Sequence, residues 1–200
     1  DRVVVRHRMG WGRSMPVNYV QTIGELPGVK AVLGVTWAGL IHPVDPRLSF
    51  DSSAQDARPF IEMHEELEAP AEQRQAFIAD RTGAFVSREL ADELGWKPGD
   101  RLRFRTALLP GDLELTLSGI FQSKRHGFGG RAVYFHWEYF NERLPERAQD
   151  GVNMIVAQVY EPGASARMAR AIDLHFEGRE DQTFSQEDQA TIAQLVARFR

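Results

Sequence analysis

The 200-residue sequence contains no cysteine. Disulfides, thiolate metal sites and cysteine nucleophiles are therefore excluded. The absence does not choose a compartment, because cytosolic proteins and many periplasmic ones do without disulfides. No apolar run approaches the roughly 20 residues that a membrane-spanning helix needs. No signal-peptide pattern opens the chain, and its first residue is Asp1. A processed soluble protein and a domain cut from a longer chain both fit that beginning. Neither sign of charge dominates: a net charge of −4 gives nucleic acid no bulk attraction. There is no Gly-x-Ser-x-Gly elbow, no solenoid repeat and no low-complexity tract. What is present is ordinary for a globular protein, with 42% hydrophobic and 26% charged residues. That is enough to bury a core in one domain or two small ones.

The most patterned stretch runs from Asp80 to Phe121. Phe85 and Val86 read as a short apolar strand, and Ser87 as the cap of the helix that follows. Leu90, Ala91 and Leu94 keep helical spacing until Gly95, which predicts a left-handed C-cap. Lys97-Pro98-Gly99-Asp100 predicts a turn, since Pro98 pre-sets φ and Gly99 supplies a positive φ. Leu102 and Phe104, then Leu113, Leu115 and Leu117, alternate with polar residues. They predict two half-buried strands around Pro110-Gly111-Asp112.

A β-α-β unit is legible at each end. At the first, Val3, Val5, His7 and Met9 share a strand face, and Pro16 sits well at a helix start. Val17, Val20, Ile23 and Gly24 form a stripe that stops before Pro27; Val29 to Trp37 then alternate as a strand. At the second, Val152 to Tyr160 reads as a strand covered on both faces, and Met168, Ala169, Ile172 and Phe176 as a helix face. Phe184 follows in a short strand. Ser185 to Asp188 resembles a capping box for a last helix carrying Ile192, Leu195, Val196 and Phe199, with no stop signal. Two such units make a split, ferredoxin-like α+β core with an inserted, mostly-β subdomain. The expected division is 1–81 with 151–200, and 82–150 for the insertion. Within 41–70, Asp51-Ser52-Ser53 reads as turn chemistry, and Phe60, Ile61 and Met63 as a short strand; Pro70 to Ala79 reads as a helix with Phe77 and Ile78 inward.

Candidate chemistry is sparse. His64-Glu65-Glu66, beside Glu62 and Glu68, is the densest acidic cluster. It lacks the second histidine of a zinc-binding helix and reads as a solvated face. His7, His42, His126, His136 and His175 are scattered and read as surface or locally bonded. Gly127-Phe128-Gly129-Gly130 is followed by a strand pattern, so it is no phosphate loop and reads as mobile. Its flank Lys124, Arg125 and His126 is basic, and Phe128 is expected to be exposed. This makes the loop a candidate contact for a partner protein, lipid headgroup or anionic substrate. Trp37 and Trp96 are expected in the core.

Taken together, these motifs resemble the extracytoplasmic domain of MacB/FtsX-type ABC transporter permeases. The run from Gly83 to Asp100, closed by Gly119-Ile120, looks like the family's "Gly-Ala-x-Val-x-Arg-x-Leu-Ala-x-x-x-Gly-Trp-x-x-Gly-Asp…Gly-Ile". Glu25-Leu26-Pro27-Gly28-Val29 looks like its helix-to-strand joint. Ala171-Ile172-Asp173, with Phe176 and Thr183, looks like the segment near its second membrane helix. The resemblance implies a porter-like fold cut from between two membrane helices of a cytoplasmic-membrane protein, on its periplasmic side. It implies no catalysis, no cofactor and no metal. The implied partners are a cytoplasmic ABC ATPase subunit reached through the membrane helices, and a second permease copy or paralogue. An envelope protein or a lipid or peptide substrate is a further implied partner; nucleic acid is not. Arg2, Arg6, Arg8 and Trp11 would then be membrane-proximal, since indoles favour that interface. Two other readings of the residues stand beside it: a free-standing ligand-binding or sensor domain, and a metal-dependent hydrolase using His64, Glu65 and Glu66.

Overall fold

A computed structural model describes residues 1–191. In chain order the elements are β1 (Arg2–His7), β2 (Met15–Pro16), α1 (Asn18–Gly24), β3 (Val29–Trp37), β4 (Asp51–Gln55), α2 (Ala57–Met63), β5 (Leu67–Glu68), α3 (Ala71–Ala79), β6 (Gly83–Ser87), α4 (Arg88–Leu94), β7 (Arg101–Phe104), β8 (Leu113–Ser123), β9 (Ala132–His136), α5 (Trp137–Asn141), β10 (Gly151–Val152), β11 (Met154–Val159), α6 (Ser165–His175) and β12 (Thr183–Glu187). They fall into two units. One joins Asp1–Thr36 to the chain from Asp150 onward, and the other is Trp37–Gln149.

In the first unit the strands run β12-β1-β11-β3. β1 is antiparallel to both β11 and β12, and β11 is antiparallel to β3. Hence β1 and β3 are parallel with β11 between them, and β11 and β12 are parallel with β1 between them. The two β-α-β halves interdigitate, which is the ferredoxin-like arrangement. Val3, Val5, Ile155, Ala157 and Leu33 are buried in this sheet. From α6, Met168, Ala169, Ile172 and the capping Phe176 are buried, and Phe176 stacks on Tyr19 of α1 with ring centres 4.0 Å apart. A Cβ on Gly34 would lie 2.8 Å from Val20, so a glycine there lets α1 sit close on β3.

Three local expectations change. Pro16 lies in β2, paired with Gly151, and the helix begins two residues later. Met9 lies past the end of β1 and is 78% exposed. Ser185 belongs to β12 and is no helix cap, because Asp173 holds both its amide and its hydroxyl. The expected apolar stripe from Ile192 to Phe199 lies outside the described residues.

In the second unit a mixed sheet runs β4-β9-β6-β8, with β7 and β5 pairing with opposite ends of β8. β4 is parallel to β9, β9 antiparallel to β6, and β6 parallel to β8. All five residues of β6 are buried, as a strand with packing on both faces requires. Phe104, Phe135, Phe140, Leu90 and Leu115 lie in one core cluster, with Trp96 and Trp137 partly buried against it. α4 ends as the sequence predicts. Gly95 has φ 69° and ψ 24°, Gly95 N–H reaches Asp92 O, and Trp96 N–H reaches Ala91 O at 2.9 Å. These are the two bonds of a Schellman cap. The Lys97–Asp100 turn closes with Asp100 N–H on Lys97 O at 3.0 Å, and Gly99 has φ 96°.

Residues 37–81, expected with the first unit, belong to this one. Asp51-Ser52-Ser53 is not a turn but the start of β4, whose buried Ser53 and Gln55 bond each other at 2.9 Å. Such a polar strand carries no hydrophobic alternation to announce it. Phe60, Ile61 and Met63 lie on α2, not on a strand. Asp56 caps that helix, and Ala57, Phe60, Ile61 and His64 are buried at helical spacing. Ser87 stands at the N-cap position of α4, yet its hydroxyl accepts from Ala132 N–H at 3.0 Å and so ties β6 to β9.

Candidate functional site

The acidic cluster and the basic glycine loop, 60 residues apart in sequence, form one structure. β5 pairs with the end of β8, with Leu67 opposite Ser123 and Glu68 opposite Gln122. Lys124 N–H continues the ladder to Glu66 O at 2.9 Å. That register places opposite charges together: Lys124 pairs with Glu68, and Arg125 lies 3.6 Å from Glu66. His126 remains exposed.

Phe128 is not the exposed aromatic that was expected. It is half-buried and stacks on His64 with ring centres 5.2 Å apart. Tyr134 lies beyond, at 6.3 Å, and the Arg125 guanidinium is 5.8 Å from the Phe128 ring. Gly129 is buried with φ 68°, and a Cβ there would meet Leu67 at 3.0 Å. The loop is thus pinned to the sheet by its aromatic and its glycine. Tyr134 is buried among Phe60, Phe121 and Phe128. Burial pushes its phenol above the ordinary tyrosine range, and the carboxylates of Asp51 and Glu66 add to the effect.

His64 is buried at the C-cap of α2, with Nδ1 2.9 Å from Phe60 O. Its ring is packed between Phe60 and Phe128. The expectation of a solvated face therefore fails for His64, while Glu65 is exposed. Among the described residues, no three His, Asp or Glu side chains are placed to hold one ion. The other histidines are local: His42 Nδ1 accepts from Asp45 N–H at 3.1 Å, and His136 Nε2 donates to Phe77 O at 2.7 Å. His7 Nδ1 accepts from Met9 N–H at 3.0 Å, with Nε2 3.4 Å from Asp181.

In the first unit, Arg2, Arg6, Arg8 and Trp11 gather along the β1–β12 pair. Arg2 Nε donates to Asp188 at 2.9 Å, and Arg8 to the Gln182 side chain at 2.9 Å. Arg6 stands opposite Phe184, its guanidinium 4.4 Å from that ring centre and 5.4 Å from that of Trp11. Behind them Asp173 of α6 accepts from Thr183 Oγ1 at 2.8 Å, Ser185 Oγ at 2.7 Å and Ser185 N–H at 3.0 Å. Asp173 and Thr183 are residues of the motif identified from sequence. Tyr19, Tyr134 and Arg74 were not singled out, because nothing in their local spacing marks which strand or helix will lie against them.

The MacB-like periplasmic core domain family matches residues 1–173, and the chain belongs to that family. Among solved structures, the periplasmic region of MacB from Actinobacillus actinomycetemcomitans aligns with TM-score 0.69 at 9% identity, over 98% of this chain and 92% of that one. The extracellular domain of the noncanonic ABC-type transporter YknZ from Gram-positive bacteria aligns with TM-score 0.64 at 10% identity, over 94% and 100%. A permease-protein domain from Porphyromonas gingivalis aligns with TM-score 0.61 at 16% identity, over 92% and 88%. At these identities the likeness is one of fold. No curated protein matches the chain. No described helix is long and apolar enough to cross a membrane.

Proposed function

We propose that this chain is the non-catalytic outer domain of an ABC transporter permease. It relays motion driven by a cytoplasmic ATPase to a substrate or to an envelope partner. Family membership supports the setting. The observation that carries the mechanical part is the pairing of β1 with β12. Val3 stands opposite Glu187, so the start of β1 and the end of β12 lie side by side. Arg2 and Asp188 bridge them, and Asp173 fastens α6 to β12. Antiparallel neighbours joined in this way transmit a relative displacement of their ends as shear across the whole ladder, not as fraying of one strand. Membrane helices coupled to these two strands would act on the sheet together. The arginines and Trp11 along the same pair are the membrane-proximal residues in this reading. In the second unit, Lys124 and Arg125 serve the loop first, through Glu68 and Glu66. His126 and the outer edge of Phe128 are what it offers a partner.

The test is to express the protein with the sequence that flanks this segment in its own gene, and fractionate the cells. The expected product sits in the cytoplasmic membrane, with this domain open to protease from the outer side. Recovery of the whole product in the soluble fraction contradicts the proposal.

A further inference from the structure

At the C-terminal end of β8 the second unit holds an open polar cleft of about 380 Å³. The sheet order β6-β8-β5 builds it. Glu68 stands opposite Gln122 on one side of β8, and Arg88 follows Ser87, which pairs with Phe121 on the other. An acid and a guanidinium thus flank Gln122 at roughly two strand spacings, about 9–10 Å between backbones. Glu65 and Arg74 also line the cleft, and Ile120 supplies an apolar contact. Arg74 is half-buried, and its guanidinium is aimed by a bond to Ile61 O at 3.2 Å. Among the described residues, neither Arg74 nor Glu65 has an ion-pair partner, and they do not reach each other. Arg88 is held only loosely, 3.9 Å from Asp92, and Glu68 shares Lys124.

We propose that this cleft binds a small zwitterion of dipeptide size. Its free amine donates to Glu65 and Glu68, and its carboxylate accepts from Arg74 and Arg88. With Lys124 on Glu68 and Asp92 beside Arg88, acids and bases at the cleft balance, so a simple anion meets the glutamates and a simple cation meets the arginines. A ligand carrying both signs satisfies all four. The site is independent of any coupling to an ATPase.

Titration of the ¹⁵N-labelled chain with alanyl-alanine tests it by amide shifts. Saturable shifts are expected at Ala69, Arg88 and Gln122. The N-acetylated and the C-amidated dipeptides should each bind at least about tenfold more weakly, as should Glu65→Gln and Arg74→Gln. Thermal unfolding of each variant is measured alongside. If Arg74→Gln loosens the fold through its lost bond to Ile61, Arg88→Gln takes its place. Shifts that do not saturate, capped dipeptides that bind equally, or inorganic phosphate that binds more tightly than alanyl-alanine would overturn the proposal.

Discussion

Asp173 makes three hydrogen bonds to two residues of the neighbouring strand, and each is charge-assisted. Asp173→Ala would leave the Ser185 amide and two hydroxyls without this acceptor, at a cost of about 2–3 kcal/mol. Urea unfolding should show it as a lower midpoint with an unchanged slope. Asp173→Asn, which keeps one acceptor oxygen, should lose less. Equal stability of Asp173→Ala and the parent would mean the join does not hold the strand. Tyr134 gives a pH signature. Its pKa is raised on folding, so its contribution is fully present below the unfolded value of about 10 and is lost as pH rises from there toward the higher folded value. Tyr134→Phe should therefore flatten the alkaline fall in stability above about pH 10. A fall of the same steepness in the variant would assign it to other groups.

At the scale of elements, the sequence was legible wherever a pattern was local. Gly95, the Lys97–Asp100 turn, the β7–β8 hairpin and the buried face of α6 follow from spacing and turn chemistry alone. What misled was decided at a distance. β4 is polar, and strand pairing, as with β9, is what makes it a strand. Ser87 is a good cap by type, but Ala132 N–H claims its hydroxyl. Three glycines made 127–130 look mobile, yet Phe128 and Gly129 seat it against His64, Tyr134 and Leu67. Charge composition likewise showed an acidic cluster and a basic loop, but not that strand register would pair them. The loop is therefore structural at Phe128 and free at His126. Phe128→Ala should cost about 1–2 kcal/mol, the value of a half-buried ring with aromatic neighbours. His126→Ala should leave the melting temperature unchanged. The reverse ranking, read by thermal unfolding, would restore the mobile loop.

At the scale of the whole molecule, two separated β-α-β signals were enough to imply the ferredoxin-like unit. The expected boundary differs from the two units because β4 carries no hydrophobic alternation and α2 reads as a strand from its sequence. Family membership supplies the setting, and in the proposed function the β1–β12 pair is the lever. The chain has no cysteine, so His126→Cys introduces a single labelling position in this domain. The direct measurement of the proposed coupling is the distance between spin labels at that position in two copies of the proposed full-length permease, reconstituted in membranes with the proposed ATPase. The distance distribution is expected to shift when ATP is added and to return after hydrolysis. The same distribution in every nucleotide state would contradict the proposed coupling.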